Sequence, residues 1–226
     1  MGSDTNSDCS RALYGSNPSG ASRTQCGFHV SRARALLLDV DGVLVTPPEM
    51  FGSRLTRLHP QEAREFFYGP FLKASTGQAD LPELLPPLLS AVGYAGTPEA
   101  FMHEWFAAEN HPNTPLLEAV KELRGAGWPV YLATNQEQHR LHYLLRDMGL
   151  GQLVDGEFAS CSVGVRKPDT AYFDLVQKRL GLSAARIVFW DDASGNVAAA
   201  REAGWTAHLY EGLEGFMREM ASLAQA

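Results

Sequence analysis

The sequence predicts an α/β fold in which a central parallel sheet is covered by helices on both faces and carries an all-helical insertion after its first strand. Three observations predict it. Leu36-Leu37-Leu38, Val130-Tyr131-Leu132-Ala133 and Ile187-Val188-Phe189-Trp190 are short apolar runs that each end abruptly in polar residues, the pattern of strands buried on both faces. From Thr114-Pro115 onward such runs alternate with helix-length segments, the order that builds parallel strand-helix-strand units. Between residues 47 and 112 no strand signal occurs, and a purely helical block of that size is too long for a simple crossover.

The elements follow in order. Residues 1–34 are rich in Ser, Gly, Asn and Thr with hardly any apolar periodicity, so they read as a flexible arm, an over-long start or a cloning remnant outside the fold. Asp4 and Asp8, together with the missing amphipathic pattern, speak against an organellar transit segment. After the first strand, Thr46-Pro47-Pro48 breaks regular structure. Helices then open at His59-Pro60 (through Tyr68), at Asp80-Leu81-Pro82 and at Thr97-Pro98-Glu99, each with proline near the first turn. Pro86-Pro87 shortens or kinks the second of them.

A helix over residues 115–125 leads to a strand over 130–133, and the helix from about Gln136 stops at Gly149. A short strand lies near residues 153–158, its start blurred by Asp155-Gly156. The helix opened by Pro168-Asp169 runs to Gly181, the strand 187–190 follows, a helix from about Asn196 stops at Gly204, and residues 206–210 make the last strand. The core is therefore expected over residues 35–46 and 113–226, and a helical cap over 47–112.

Composition bounds the function. A chain of 226 residues with 45% hydrophobic and 20% charged residues is an ordinary soluble globular protein, long enough for one domain with an insertion. Its net charge of -7 argues against nucleic acid or an anionic membrane as a general partner, since both are held largely by Lys and Arg. No apolar run approaches a membrane span, and the N-terminus lacks the apolar core expected of a secretory signal. Cys9, Cys26 and Cys161 are too few and too scattered for a disulfide framework or a zinc site. A soluble cytoplasmic protein, monomer or homodimer, is the expectation.

Ligands in parallel sheets bind beyond the carboxyl ends of the strands. Asp39 and Asp41, Thr134 and Asn135, and Asp191 and Asp192 each follow directly on a strand, and Lys167 sits in the loop before a helix, so all seven meet at one edge. Asp39-x-Asp41-Gly42 alone reads equally well as a strand with an acidic turn. The later strands tip the balance. Carboxylates gathered at one point repel unless a cation lies between them, and hard oxygen donors without His or Cys suit Mg²⁺. A carboxylate such as Asp39 can attack phosphorus, Lys167 and the Thr134 hydroxyl can hold the transferring oxygens, and Asp41 can exchange the proton of the leaving alcohol and of the attacking water.

Taken together, these residues resemble the haloacid dehalogenase superfamily. Leu36-Leu37-Leu38-Asp39-Val40-Asp41-Gly42-Val43-Leu44 is similar to its first motif, Leu132-Ala133-Thr134-Asn135 to its second, Arg166-Lys167-Pro168 to its third and Phe189-Trp190-Asp191-Asp192 to its fourth. The resemblance runs from about residue 35 to 212 and implies a Rossmann-like three-layer sandwich with the insertion as a cap over the site. It implies Asp39 as nucleophile forming an aspartyl-phosphate, Asp41 as general acid and base, and Thr134, Asn135 and Lys167 as phosphate-binding residues. It further implies Mg²⁺ held by the Asp39 side chain, the Asp41 backbone carbonyl, Asp191 and, directly or through water, Asp192. The acid at Asp41 sets the chain apart from family dehalogenases, whose halide leaving group needs no proton.

Other residues read more plainly. Trp190 is expected in the core or against the cap, Cys161 as a small half-buried residue, and Glu104, Trp105 and Phe106 as cap packing. His139 and His142, with Arg140 and Arg146, are expected on a solvated helix face, and Glu109-Asn110-His111-Pro112 as a hinge. The functional expectation is a Mg²⁺-dependent phosphatase acting on a small phosphorylated metabolite, a sugar phosphate foremost. A phosphomutase of the β-phosphoglucomutase type and a non-catalytic binding protein on the same fold are the alternatives.

Overall fold

The structure, a computed structural model, describes residues 34–225. The expected arm over residues 1–34 lies, but for Arg34, outside them. Five parallel strands form one sheet in the order β3-β2-β1-β4-β5, with β1 Ala35–Leu38, β2 Val130–Thr134, β3 Gly156–Ala159, β4 Ile187–Asp191 and β5 Thr206–Leu209. β1 occupies the centre. All four of its residues are buried, because side chains alternate between two faces and both faces are covered. Leu36 and Leu38 enter one cluster with Val130, Leu132, Trp190 and Phe216, whereas Ala35 and Leu37 enter another with Tyr172, Phe173, Phe189 and Trp205.

The helices that cover these faces connect the strands. On the first face lie α7 (Thr114–Gly125), α8 (Gln138–Arg146) and a carboxyl-terminal α12 (Leu213–Gln225), which contribute Leu116, Leu144 and Phe216. On the second lie α10 (Thr170–Leu180) and α11 (Ser194–Glu202), which contribute Phe173 and Val197. A one-turn helix, α9 (Ser160–Val163), follows β3 directly. This is the expected three-layer α/β sandwich with two added helices, α9 and α12.

Two details depart from the sequence expectation. β3 begins at Gly156 because residues before it are needed elsewhere: Leu150–Gln152 form a 3₁₀ turn, and the Asp155 carboxylate accepts from Val130 N at 2.9 Å and pairs with Arg124 at 2.7 Å. The insertion is also more finely divided than its proline signals suggest. It holds α1 (Phe51–Leu58), α2 (Pro60–Phe67), α3 (Pro70–Ala74), α4 (Leu81–Leu84), α5 (Pro86–Ala91) and α6 (Pro98–Ala108); α4 is cut short as expected, and Pro86 in addition starts a new helix.

The insertion has a core of its own, built on Leu55, Phe66, Leu85, Phe101, Trp105 and Phe106. Trp105 anchors it, stacked on Phe51 at 4.8 Å and flanked by Phe71 at 5.9 Å. Glu104 is instead on the surface, where it accepts from Tyr94 Oη at 2.8 Å. The chain leaves and re-enters the sheet domain side by side: Thr46 N donates to His111 O at 2.9 Å, Asn113 N to Leu44 O at 2.8 Å, and Val45 bridges antiparallel to Pro112.

Among the described residues no helix is long and apolar enough to cross a membrane. Phe216 shows how far α12 belongs to the core, being fully buried with its ring 5.0 Å from that of Trp190. Phe216→Ala is expected to lower unfolding stability by about 3–5 kcal/mol, read from urea denaturation followed by circular dichroism; a loss below about 1 kcal/mol would detach α12 from the core.

Candidate active site

The site grows from the end of β1. Asp39 N donates to Trp190 O at 2.9 Å, which carries the β1–β4 pairing one residue beyond the strand and sets Asp39 beside Asp191. The chain then folds tightly on itself. The Val40 carbonyl accepts from Val43, Leu44 and Val45 at 3.2, 2.8 and 2.9 Å, and Gly42 adopts φ 80°. A Cβ on Gly42 would lie 2.1 Å from Asp192 Oδ2, so glycine is required by both the backbone and the neighbouring carboxylate.

Lys167 is the charge at the centre. Although only 3% exposed, its ammonium donates to Asp191 Oδ2 at 2.5 Å and to Ala133 O at 2.6 Å, and lies 3.1 Å from Asp39 Oδ1. Asn135 holds the backbone of this lysine from both sides, accepting from Lys167 N and donating to Lys167 O at 2.9 Å each. Asp191 is fixed further by Ala193 N at 2.8 Å and by the Asn196 amide at 3.0 Å. Asp39 accepts from Val40 N at 2.8 Å.

Carboxylate oxygens of Asp39, Asp191 and Asp192 all lie within 4.8 Å of one another. Burial, opposed by Lys167 and reinforced by Asp191 and Asp41, leaves the Asp39 carboxyl raised to about 7. Asp192 is likewise raised, first by burial and then by Asp191. A divalent cation among these oxygens would remove that penalty, and an all-oxygen donor set suits a hard ion. The fit is chemical.

Asp41 is placed differently. Its side chain is 30% exposed and stands outside the carboxylate cluster, with Oδ2 accepting from Gln136 Nε2 at 2.6 Å and Oδ1 3.5 Å from Arg140 Nη2. Asp39, Asp41, Gly42, Met50, Thr134, Asn135 and Asp192 line one cleft of about 230 Å³. Thr134 is buried there at the end of β2. The residues singled out in the sequence therefore come together, Lys167 closing the cluster from below through its bonds to Asp39 and Asp191.

The family model for haloacid dehalogenase-like hydrolases matches residues 33–204. This chain belongs to that family. The haloacid dehalogenase-like chain is 30% identical to a phosphatase of Mycobacterium tuberculosis over 207 residues, covering 84% of this chain and 94% of that protein. It is 34% identical to a sesquiterpene phosphatase of Aspergillus oryzae over 125 residues, 55% of this chain, and spans 64% of that relative. Among solved structures, the magnesium complex of a family enzyme from Bacteroides thetaiotaomicron superimposes with a TM-score of 0.65 at 21% identity, over 80% of this chain and 94% of that one.

Within this haloacid dehalogenase-like site, the sequence placed Arg140 wrongly. Rather than sharing a solvated face with His139, His142 and Arg146, it is 2% exposed and sits between Asp41 and Glu109, 3.2 Å from the latter. The signal was Leu144, one turn on, which shares the inward face of α8. The Arg140 guanidinium also rests over the rings of Phe106 and Tyr143 at 5.6 and 5.8 Å. Glu109 has its carboxyl raised by burial and lowered again by Arg140, and it accepts from Phe51 N at 2.7 Å, at the start of α1. Gln136 and Asn196 were not singled out either, because amides in loops and first helical turns carry no sequence signature of their partners.

Two further expectations hold, those for Trp190 and Cys161. Trp190 is buried and stacks on His208 at 4.6 Å, and the half-buried Cys161 has its thiol raised by burial. His139 pairs with Asp80 at 2.6 Å, joining α8 to the insertion, while His142 is exposed. Arg140→Met should lower stability by about 3–5 kcal/mol, because it leaves a buried carboxylate uncompensated. Adding Glu109→Gln should restore part of that loss in a urea-denaturation double-mutant cycle, whereas strictly additive losses would mean that the pair does not interact.

Proposed function

We propose that this hydrolase is a Mg²⁺-dependent phosphatase that cleaves a small phosphomonoester, with sugar phosphates the leading class, through an aspartyl-phosphate on Asp39. The observation that carries this reading is the separation of two kinds of carboxylate in one cleft. Asp39 belongs to the metal-donor cluster with Asp191 and Asp192, whereas the Asp41 carboxylate is held off that cluster by Gln136 and Arg140. A nucleophile must stay ionised against an incoming phosphate, while a proton carrier must stay free of the metal.

The steps follow from this geometry. An Asp39 carboxylate oxygen attacks phosphorus, the bond from phosphorus to the ester oxygen breaks, and Asp41 gives its proton to the leaving alkoxide. Asp41, now ionised, takes a proton from water as that water attacks phosphorus, and the bond to Asp39 breaks to release inorganic phosphate. Mg²⁺ bound by Asp39, Asp191, Asp192 and the Asp41 backbone carbonyl would neutralise the repulsion between nucleophile and phosphate. Lys167 holds charge on the transferring oxygens, Thr134 donates a hydrogen bond, and Asn135 keeps the Lys167 backbone in place. The insertion acts as a cap that carries Met50 over the cleft and pivots on the paired segments around Val45 and Pro112.

The magnesium complex of the Bacteroides thetaiotaomicron enzyme and the phosphatases of Mycobacterium tuberculosis and Aspergillus oryzae support the metal and the reaction class. Phosphomutase chemistry uses the same groups and would require the closed cap to exclude water.

A panel of sugar, hydroxy-acid and isoprenoid monophosphates with an aryl phosphate, assayed for phosphate release, should show turnover that stops on chelation and returns with Mg²⁺. Asp39→Asn should lose activity by about a thousandfold or more while keeping its circular dichroism; turnover that survives both chelation and Asp39→Asn would refute the proposal. Asp41→Asn should slow alkyl esters by about a hundredfold or more and aryl esters less, since poor leaving groups need the proton most; equal losses would remove Asp41 from that role.

A further inference from the structure

Behind Asp41 lies a polar cluster that is buried, charged and incompletely bonded. The Arg140 guanidinium, 2% exposed, lies 3.2 Å from Glu109 Oε2 and 3.5 Å from Asp41 Oδ1. Among the described residues none of its three nitrogens has a hydrogen-bond partner, and Asp41 Oδ1 has none either. Folded chains rarely leave charged groups so, because an unpaired buried donor costs more than a made bond contributes. Charge-assisted hydrogen bonds form at about 2.7–2.9 Å, so a few tenths of an ångström separate this cluster from completion. Aromatic rings confine the guanidinium to its place. Phe106 of the insertion and Tyr143 of α8 lie against it at 5.6 and 5.8 Å and against each other at 5.7 Å.

The two ends of the cluster belong to different parts of the molecule. Glu109 follows the last helix of the insertion and accepts through Oε1 from Phe51 N at 2.7 Å, where the first helix begins, so its carboxylate travels with the insertion. Asp41 belongs to the sheet domain, and its two oxygens differ. Oδ2 accepts from Gln136 Nε2 at 2.6 Å, while Oδ1 is buried on the side of Arg140. The guanidinium thus faces the inner oxygen, and the outer one is left for the cleft that Asp41 lines. Neither Arg140 nor Glu109 lines that cleft, so both reach the reacting groups through Asp41.

We propose that Arg140 is a positioning residue through which the seating of the insertion sets the orientation of Asp41. As the insertion settles, Glu109 and the guanidinium close on Asp41 Oδ1, which holds Oδ2 where it gives its proton to the leaving alkoxide. The inference rests on the phosphatase reading and deepens it, since proton delivery becomes coupled to the position of the insertion. An arginine suits the task. Its planar fork engages two carboxylates at once, and Glu109 shares a charge that would otherwise fall on Asp41 alone.

The test compares two esters of similar shape. Wild type and Glu109→Gln, with Mg²⁺, would be assayed on benzyl phosphate, whose alkoxide needs a proton to leave, and on p-nitrophenyl phosphate, whose phenolate hardly does. Glu109→Gln keeps an acceptor for Phe51 N and withdraws the charge facing Arg140. It should lower kcat on benzyl phosphate by about tenfold or more, with a smaller loss on p-nitrophenyl phosphate. In an Asp41→Asn background the same substitution should leave the ratio of the two rates unchanged. Partial unfolding would lower both rates together, so equal losses, or a change of ratio that survives without the Asp41 carboxylate, would overturn the proposal. A second measurement needs no turnover. Solvent exchange of the Arg140 Nε–H, followed by heteronuclear NMR, should quicken by about tenfold or more in Glu109→Gln and in Asp41→Asn alike, because both carboxylates hold the guanidinium; exchange insensitive to Asp41→Asn would overturn the linkage. A protein that turns over neither ester, but whose Arg140 signal responds to both variants, would uphold the linkage and count against the phosphatase reading alone.

Discussion

The arrangement depends on one buried ammonium group. β1 and β4 are neighbours in register, Leu38 against Trp190, so the residues that follow place two carboxylates side by side at the sheet edge. Without a cation between them that edge would be costly, since burial, opposed by Lys167 and reinforced by Asp191 and Asp41, leaves the Asp39 carboxyl raised to about 7 even with the ammonium in place. Lys167 supplies part of the compensation from a loop well over a hundred residues later in the chain, and Asn135 at the end of β2 grips the backbone on both sides of that lysine. Three strands thus converge on one charge. A metal among Asp39, Asp191 and Asp192 would complete the compensation that the lysine begins.

The sheet and the acids at its edge were legible because they follow from local rules. A strand buried on both faces has to be a run of apolar residues, and a polar residue can follow it only where the strand ends, so Asp39, Thr134 and Asp191 mark their own positions. What the sequence hid depends on distant partners. Arg140 looks like a surface residue because its burial is compensated by two carboxylates far from it in the chain, Asp41 about a hundred positions earlier and Glu109 about thirty, and by two aromatic rings. Asn196 and Gln136 are ordinary amides until the fold sets them against Asp191 and Asp41. The division of the insertion into six helices was blurred because prolines mark helix starts and say little about which faces will pack; Trp105 decides that.

Arg140 also links chemistry to architecture. Its partner Glu109 accepts from Phe51 N, so a single carboxylate binds the first helix of the insertion, the end of the last one and, through Arg140, the side chain of Asp41. Three further polar ties run between insertion and sheet domain, Ser160 Oγ to Ser75 O, His139 to Asp80 and the Asn110 amide to Tyr143 Oη. The insertion is therefore seated on the sheet domain by polar contacts beside the candidate site and by one aromatic contact, Phe106 against Tyr143 of α8 at 5.7 Å, which joins its apolar core to the sheet domain.

The pairing of Val45 with Pro112 has a consequence for the history of such a chain. Because the outgoing and returning segments meet at adjacent points, the sheet domain experiences everything between them as one long surface loop. The closure entropy of a loop grows only slowly with its length, so residues can be gained or lost there with little effect on β1, β2 or the carboxylates beyond them. A lineage can exchange what lies over the cleft while leaving the reacting groups untouched, and selection for a new substrate need not reopen the problem of building the sheet.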